Sequence, residues 1–157
     1  MDANGRQLGT VVGATPVVFV ALIVNGNDIV VSVPLSSFFE SNGIKFVPIH
    51  GSADLIFETP DCTGAPFLPS YDWLLTKPVA VVQPGMVVYV PKDSSAPTTM
   101  TRRSMLDGFG RCYRIEEVFV SEVSAWSAVA IADLATVFTP PFRLVGVPAS
   151  ARGRDSR

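Results

Sequence analysis

The sequence predicts an all-β fold, an antiparallel β-sandwich or barrel with short hairpins and one long irregular loop near residues 62–78. Three observations predict it. Val, Ile, Phe and Thr recur in short runs, the composition of a pleated, half-buried surface. The 12 glycines and 13 prolines interrupt these runs at close intervals. An Asn-Gly pair, Asn25-Gly26, stands between two β-branched runs, the strongest short-range hairpin signal a sequence carries. A chain of 157 residues has the length of one domain and can bury a core without metals or many disulfides. We read a single β domain over residues 1–148 and a flexible C-terminal tail over 149–157.

The elements follow in order. Asp2-Ala3-Asn4-Gly5 reads as a turn and Gly9–Gly13 (GTVVG) as the first strand. Pro16–Val24 and Ile29–Val33 form the clearest hairpin, because Asn25-Gly26 supplies the positive φ angles of a tight turn. Ile44–His50 and Ala53–Thr59 are predicted to pair across His50-Gly51-Ser52. Pro78–Gln83 and Met86–Lys92 pair across Pro84-Gly85. Thr98–Leu106 and Arg111–Val120 flank Asp107-Gly108-Phe109-Gly110. Ser121–Phe138 is ambiguous, since Val123, Trp126, Ala130, Leu134 and Val137 would share one helical face. Its β neighbours favour a strand to about Ala132 and a short turn at Asp133–Val137. Pro140-Pro141 blocks any helix from continuing, and Thr139–Val147 resumes extended structure. The loop Cys62–Pro78 carries Phe67, Tyr71 and Trp73, which in the plainer reading cover one end of the core and in the other form a binding lip.

Composition limits function. Hydrophobic residues make up 48% and charged residues 17%, against about 25% charged in an average domain. The excess implies a large core or apolar surface covered by a partner. A net charge of −2 gives no electrostatic case for nucleic acid. Arg102-Arg103 and the tail residues Arg152, Arg154 and Arg157 read as a solvated turn and a frayed end. No membrane insertion is expected, because the longest apolar run, Pro16–Val24, is about half the roughly 20 residues a spanning helix needs. The opening MDANGRQLG has no basic start or apolar segment of an export signal. It reads as a cut into a longer protein.

Catalytic chemistry is hard to find. His50 is the single histidine and sits in a turn, and no G-x-S-x-G elbow occurs, so a Ser-His-Asp set is not indicated. Two cysteines far apart and one histidine do not make a zinc set, and Asp2–Gly5 lacks the later ligands of a calcium loop. No cofactor is expected. Asp54, Glu58, Asp61, Asp72, Asp107, Glu116 and Glu117 are the carboxylates that could meet in space. Glu116 and Glu117 lie side by side on a predicted strand and would point to opposite faces. A hydrolase built on Asp61 and Asp72 is the remaining enzymatic reading, and no enzyme is expected.

Cys62, in TPDCTGAPF, poses the sharpest question: nucleophile, metal ligand or staple. A reactive thiol wants a base or helix N-terminus to lower its pKa, and neither is evident locally. A disulfide to Cys112 would close a loop of about 50 residues and stabilise by roughly 4 kcal/mol in an oxidising compartment. Two buried free thiols, acting as small hydrophobes, are the alternative.

The order of motifs carries a resemblance. DANGRQLGTVVG, FETPDCTGAPFL, VVYVPK, TRRSML, GRCY and DLATVFTPPFRL follow one another along nearly the whole chain. In that order they resemble a group of uncharacterised bacterial secreted β-domains, some of them C-terminal to collagen-like or other stalk repeats. The resemblance implies an exported protein with Cys62 bonded to Cys112, and it supplies no catalytic residues. The alanine-rich segment before FTPPF departs from the pattern and leaves the last strand open.

These readings favour a non-catalytic extracellular or cell-surface module. It would be a self-associating head of a fibre, stalk or surface protein, with a homotrimer preferred because collagen-type stalks are three-stranded. The alternatives are a monomeric module that binds a surface glycan or small ligand on Tyr71, Trp73 or Trp126, and a viral or phage coat or fibre subunit.

Overall fold

A computed structural model describes residues 1–14, 17–34, 49, 51–70, 77–92, 96–139 and 142. Its first sheet comprises β1 (Thr10–Ala14), β2 (Val17–Val24) and β3 (Asn27–Pro34), in that order and antiparallel. Asn25 at φ 48° and Gly26 at φ 77° make the two-residue turn between β2 and β3. Positive φ at both positions matches the right-handed twist of the flanking strands, which explains the Asn-Gly choice. Alternation then buries Val18, Val20, Leu22 and Val24 on β2 with Ile29, Val31 and Val33 on β3. Each such side chain contributes on the order of 1.5–3 kcal/mol of transfer free energy.

The second sheet has eight strands: β4 (Leu55–Phe57), β5 (Phe67–Pro69), β6 (Ala80–Val82), β7 (Val87–Pro91), β8 (Thr98–Arg102), β9 (Ser104–Leu106), β10 (Cys112–Arg114) and β11 (Ser121–Asp133). Its order is β10-β9-β4-β5-β11-β7-β6, with β8 also on β11. The 13-residue β11 is the spine. Its first half pairs with β8, its middle with β5 and its second half with β7. A register break between Ala130 and Ala132 leaves Ile131 as an extra residue. The Asn25 side chain at the β2–β3 turn donates to the Ile131 carbonyl, tying the two sheets together.

The large sheet curls until its ends meet. Ala53 N–H donates to the Val79 carbonyl (3.0 Å) and Gln83 N–H to the Gly108 carbonyl (3.1 Å), so the outer edge of β6 reaches the residues flanking β4 and β9. Two glycines permit this closure. A Cβ on Gly51 would stand 2.1 Å from the Val79 carbonyl oxygen, and one on Gly110 2.2 Å from that of Gln83. Inside the curl, Leu55, Phe57, Leu68, Ala80, Val82 and Ala128 form one core. On the other side of β6 and β7, Val79, Val81, Val88 and Val90 pack against the buried face of the three-stranded sheet. Ile56, Met100 and Ala125 make a smaller third cluster. The result is the all-β, sandwich-like class that the sequence predicts.

Several local readings change. Ser121–Asp133 is strand, followed by a short 3-10 turn at Leu134–Thr136, as its context suggested. The loop from Cys62 to Pro78 is not irregular throughout: Phe67–Pro69 is β5, captured by the free edge of β11. Thr98–Leu106 divides at Arg103 into β8 and β9, because the two halves pair with different neighbours. Glu116 and Glu117 are not on a strand. Glu116 precedes a 3-10 turn at Glu117–Phe119, and β10 ends at Arg114. The partners of β4 are β5 and β9, not Ile44–His50, of which only Ile49 lies within the described residues. The tail at 149–157 lies outside them.

The chain's opening turn holds the two ends together. The Asp2 carboxylate, almost fully buried, accepts N–H bonds from Asn4 (3.0 Å), Arg6 (2.7 Å) and Thr139 (3.0 Å). The Thr139 bond is the largest cause of a pKa held below the usual carboxylate value.

Candidate functional site

The stretch around Cys62 is a tight turn built to present sulfur. Asp61 accepts from the Thr63 hydroxyl (2.7 Å) and N–H (3.3 Å), and the first of these bonds leads the lowering of its pKa. Thr59 donates its hydroxyl to the Thr63 carbonyl. Cys62 adopts φ 58°, a left-handed conformation uncommon outside glycine. Its N–H donates to Ser104 Oγ (3.0 Å), and that buried hydroxyl donates on to the Thr59 carbonyl (2.7 Å). The outcome is a disulfide between Cys62 and Cys112, with Cα atoms 6.0 Å apart. Cys62 is a staple, and it pins β10.

What the staple holds in place is the β9–β10 hairpin. Asp107 N–H donates to the Arg111 carbonyl (3.1 Å), closing a three-residue loop, Gly108-Phe109-Gly110, with Gly110 at φ 76°. The Asp107 carboxylate organises this loop. One oxygen accepts the N–H groups of Phe109 and Arg111, each at 2.9 Å. The other accepts Arg111 Nε (2.9 Å), its terminal nitrogen (2.7 Å) and the Tyr113 hydroxyl (3.1 Å). Desolvation works against the charge, but the bonds from Arg111 and Tyr113 outweigh it and hold the carboxyl below its ordinary pKa. Desolvation and the bond to Asp107 push the Tyr113 phenol up.

Phe109 in the loop and Tyr113 on β10 flank Arg111 along the chain. The guanidinium carbon lies 5.1 Å from the Phe109 ring centroid and 5.7 Å from that of Tyr113, within cation–π range of both. Phe109 and Tyr113 remain 51% and 40% exposed. A recess of about 130 Å³ opens beside them, lined by Ser52, Asp54 and Gly108. This is a pre-organised aromatic surface with polar groups at its border, suited to stacking. Asp107 has both oxygens filled by donors, so it is a poor proton acceptor.

A second exposed feature is the outward face of the three-stranded sheet. Phe19, Ala21 and Ile23 of β2 alternate with its buried residues, and Val30 of β3 pairs with Ala21. Ile23 is 74% exposed. A free antiparallel face normally carries polar residues, and this one is largely apolar.

Of the platform residues named from sequence, Trp126 lies within the described residues. Trp126 is half-buried on β11, paired with Leu68. Tyr71, Trp73, Asp72 and His50 lie outside the described residues. Among the described residues no three His, Cys, Asp or Glu side chains gather as a metal-ligand set, and no helix is long and apolar enough to cross a membrane. Sequence reasoning missed Phe109, Arg111 and Tyr113, although an aromatic–arginine–aromatic pattern that starts inside a Gly-Phe-Gly turn was there to read. Comparison of the chain with family models, with curated proteins and with solved structures returns no match.

Proposed function

We propose that this chain is a non-catalytic extracellular structural and adhesion module that self-associates. The observation that carries the reading is the apolar outward face around Phe19, Ala21, Ile23 and Val30. β2 is apolar at every position from Val17 to Val24, the pattern of a strand covered on both sides. Its inner side is covered by the core, and a second copy of the chain supplies the outer cover. Closed symmetry buries the same patch on every protomer, and a trimer is the state expected from the resemblance to stalk-borne domains. The Cys62–Cys112 disulfide supports export, because such bonds persist in oxidising compartments.

Light scattering of the unreduced protein tests this. The wild type should have the mass of a trimer, and Ile23→Lys should be a monomer with an unchanged thermal midpoint. A wild type that stays monomeric at about 100 µM would sink the reading.

A second reading, a monomeric module binding a surface glycan, is favoured by the Phe109–Arg111–Tyr113 surface. Sugar rings present C–H faces that pack on exposed aromatic rings, while the border residues offer hydrogen bonds.

A further inference from the structure

Three Asn-Gly pairs occur in the chain, Asn4-Gly5, Asn25-Gly26 and Asn42-Gly43. In such a pair the glycine nitrogen can attack the preceding side-chain amide, because glycine has no side chain to shield the approach. Two of the pairs lie within the described residues, and their surroundings differ. Gly5 N–H is occupied, donating to the Asp2 carbonyl (3.1 Å), and Asn4 N–H donates to the Asp2 carboxylate (3.0 Å). A nitrogen held by a hydrogen bond beside a negative charge resists losing its proton.

Gly26 is the opposite case. Among the described residues its N–H has no hydrogen-bond partner. A Cβ at Gly26 would meet nothing within 4 Å, so the turn is open to solvent there. The carbonyl of Asn25 shares a peptide unit with that nitrogen, and it accepts from Asn27 Nδ2 (3.2 Å). Such a bond draws electron density from the peptide unit and makes its N–H more acidic. The amide that would react also has a mechanical role. Asn25 Nδ2 donates to the Ile131 carbonyl, at the register break of β11. A single exposed bond of this kind opens and recloses locally. While it is open, the amide is free to turn toward the Gly26 nitrogen.

We infer that Asn25 is a site of spontaneous deamidation, and that the reaction irreversibly releases the tie between the two sheets. Hydroxide removes the Gly26 amide proton, and the nitrogen forms a bond to Asn25 Cγ. The Cγ–Nδ2 bond then breaks, and that nitrogen leaves as ammonia after taking a proton from water. The resulting five-membered succinimide adds one water and opens at either carbonyl, to aspartate or to isoaspartate. Both products end the tie. A carboxylate has no proton to donate to the Ile131 carbonyl and sets oxygen against oxygen. Isoaspartate also routes the backbone through the former side chain, adding a carbon to the two-residue turn that fixes the β2–β3 register. The site is separate from the hairpin surface, and it does not depend on the proposed self-association.

The experiment holds the intact, disulfide-bonded protein at about pH 9 and 37 °C. Peptide mapping by mass spectrometry follows each Asn-Gly pair, with fragmentation that separates aspartate from isoaspartate. A urea-unfolded sample is the control, in which Asn4 and Asn25 should react at similar rates. In the folded protein Asn25 should convert at least tenfold faster than Asn4. Asn25→Asp, the aspartate product made directly, keeps a residue that tolerates positive φ. It should speed hydrogen exchange at the turn-closing Asn27 amide at least fivefold over the wild type. Wild-type protein converted at Asn25, separated by ion exchange on its added negative charge, should show the same acceleration and stands in for the variant if that fails to fold. The inference is overturned if folded Asn25 converts no faster than Asn4, or if the converted turn exchanges like the wild type.

Discussion

The three-stranded sheet and the β9–β10 hairpin are held by opposite means. The sheet carries no cross-link and relies on burial: seven side chains of β2 and β3 are nearly inaccessible. The hairpin buries almost nothing at its edge, since Cys112, Tyr113 and Arg114 are all exposed. It is fixed by a disulfide, by a carboxylate with every oxygen occupied, and by an arginine between two rings. An isolated two-stranded hairpin is marginal in water. Specific bonds are therefore concentrated where the hydrophobic effect is weakest. Where it is strong, pattern and a two-residue turn suffice.

The largest test of that contrast removes the staple. Cys62→Ala/Cys112→Ala opens a loop of 50 residues, which chain entropy values at about 4 kcal/mol. At 2–4 °C per kcal/mol for a chain of this size, Tm should fall by roughly 8–16 °C. Hydrogen exchange should show the extra opening in β9 and β10 first, with β2 and β3 amides following only at global unfolding. Equal acceleration in both regions would mean that the hairpin is no more dependent on its cross-link than the sheet.

A smaller effect compares the cores directly. Leu68→Ala inside the curl and Leu22→Ala under the three-stranded sheet each delete a buried side chain, at a cost of about 2–5 kcal/mol. Leu68 is fully inaccessible and Leu22 retains 7% exposure, so Leu68→Ala should be the costlier by chemical denaturation. The reverse order would place the main stabilising core between the sheets.

How much was legible in the sequence divides along the same line. The β2–β3 and β6–β7 hairpins were readable because turn and strands are contiguous, so Asn25-Gly26 and Pro84-Gly85 announce them. β11 was readable from context, since Pro140-Pro141 and the neighbouring strands outweighed the alanines. The order of the large sheet was not. β4 meets β9, and β5 meets β11, across long separations that leave no local mark. Phe67–Pro69 gives little strand signal by itself and becomes β5 because β11 offers an edge. The hairpin surface was half legible: the spacing of Phe109, Arg111 and Tyr113 is in the sequence, but the reach of Asp107 back across its own loop is not.

Acid gives the most graded comparison, because the carboxylates it protonates serve polar anchoring and not the apolar burial of the three-stranded sheet. Asp2 joins the start of the chain to Thr139, and Asp107 organises the hairpin loop. Both have folded pKa values below their ordinary ones. Their contribution is therefore fully present above the unfolded value of about 4 and is lost as the pH falls through the lower folded values. Tm should be flat near neutrality and decline below about pH 4. Asp107→Asn should make that decline shallower, because its carboxamide has no proton to gain. In the wild type the Tyr113 ring resonances should change as Asp107 is protonated, before β2 and β3 lose exchange protection. The hairpin depends on a charge that acid removes, whereas burial of Val18, Val31 and Val33 involves no titrating group. Simultaneous loss in both regions would show that the hairpin's polar anchoring and the sheet's apolar anchoring fail as one cooperative unit.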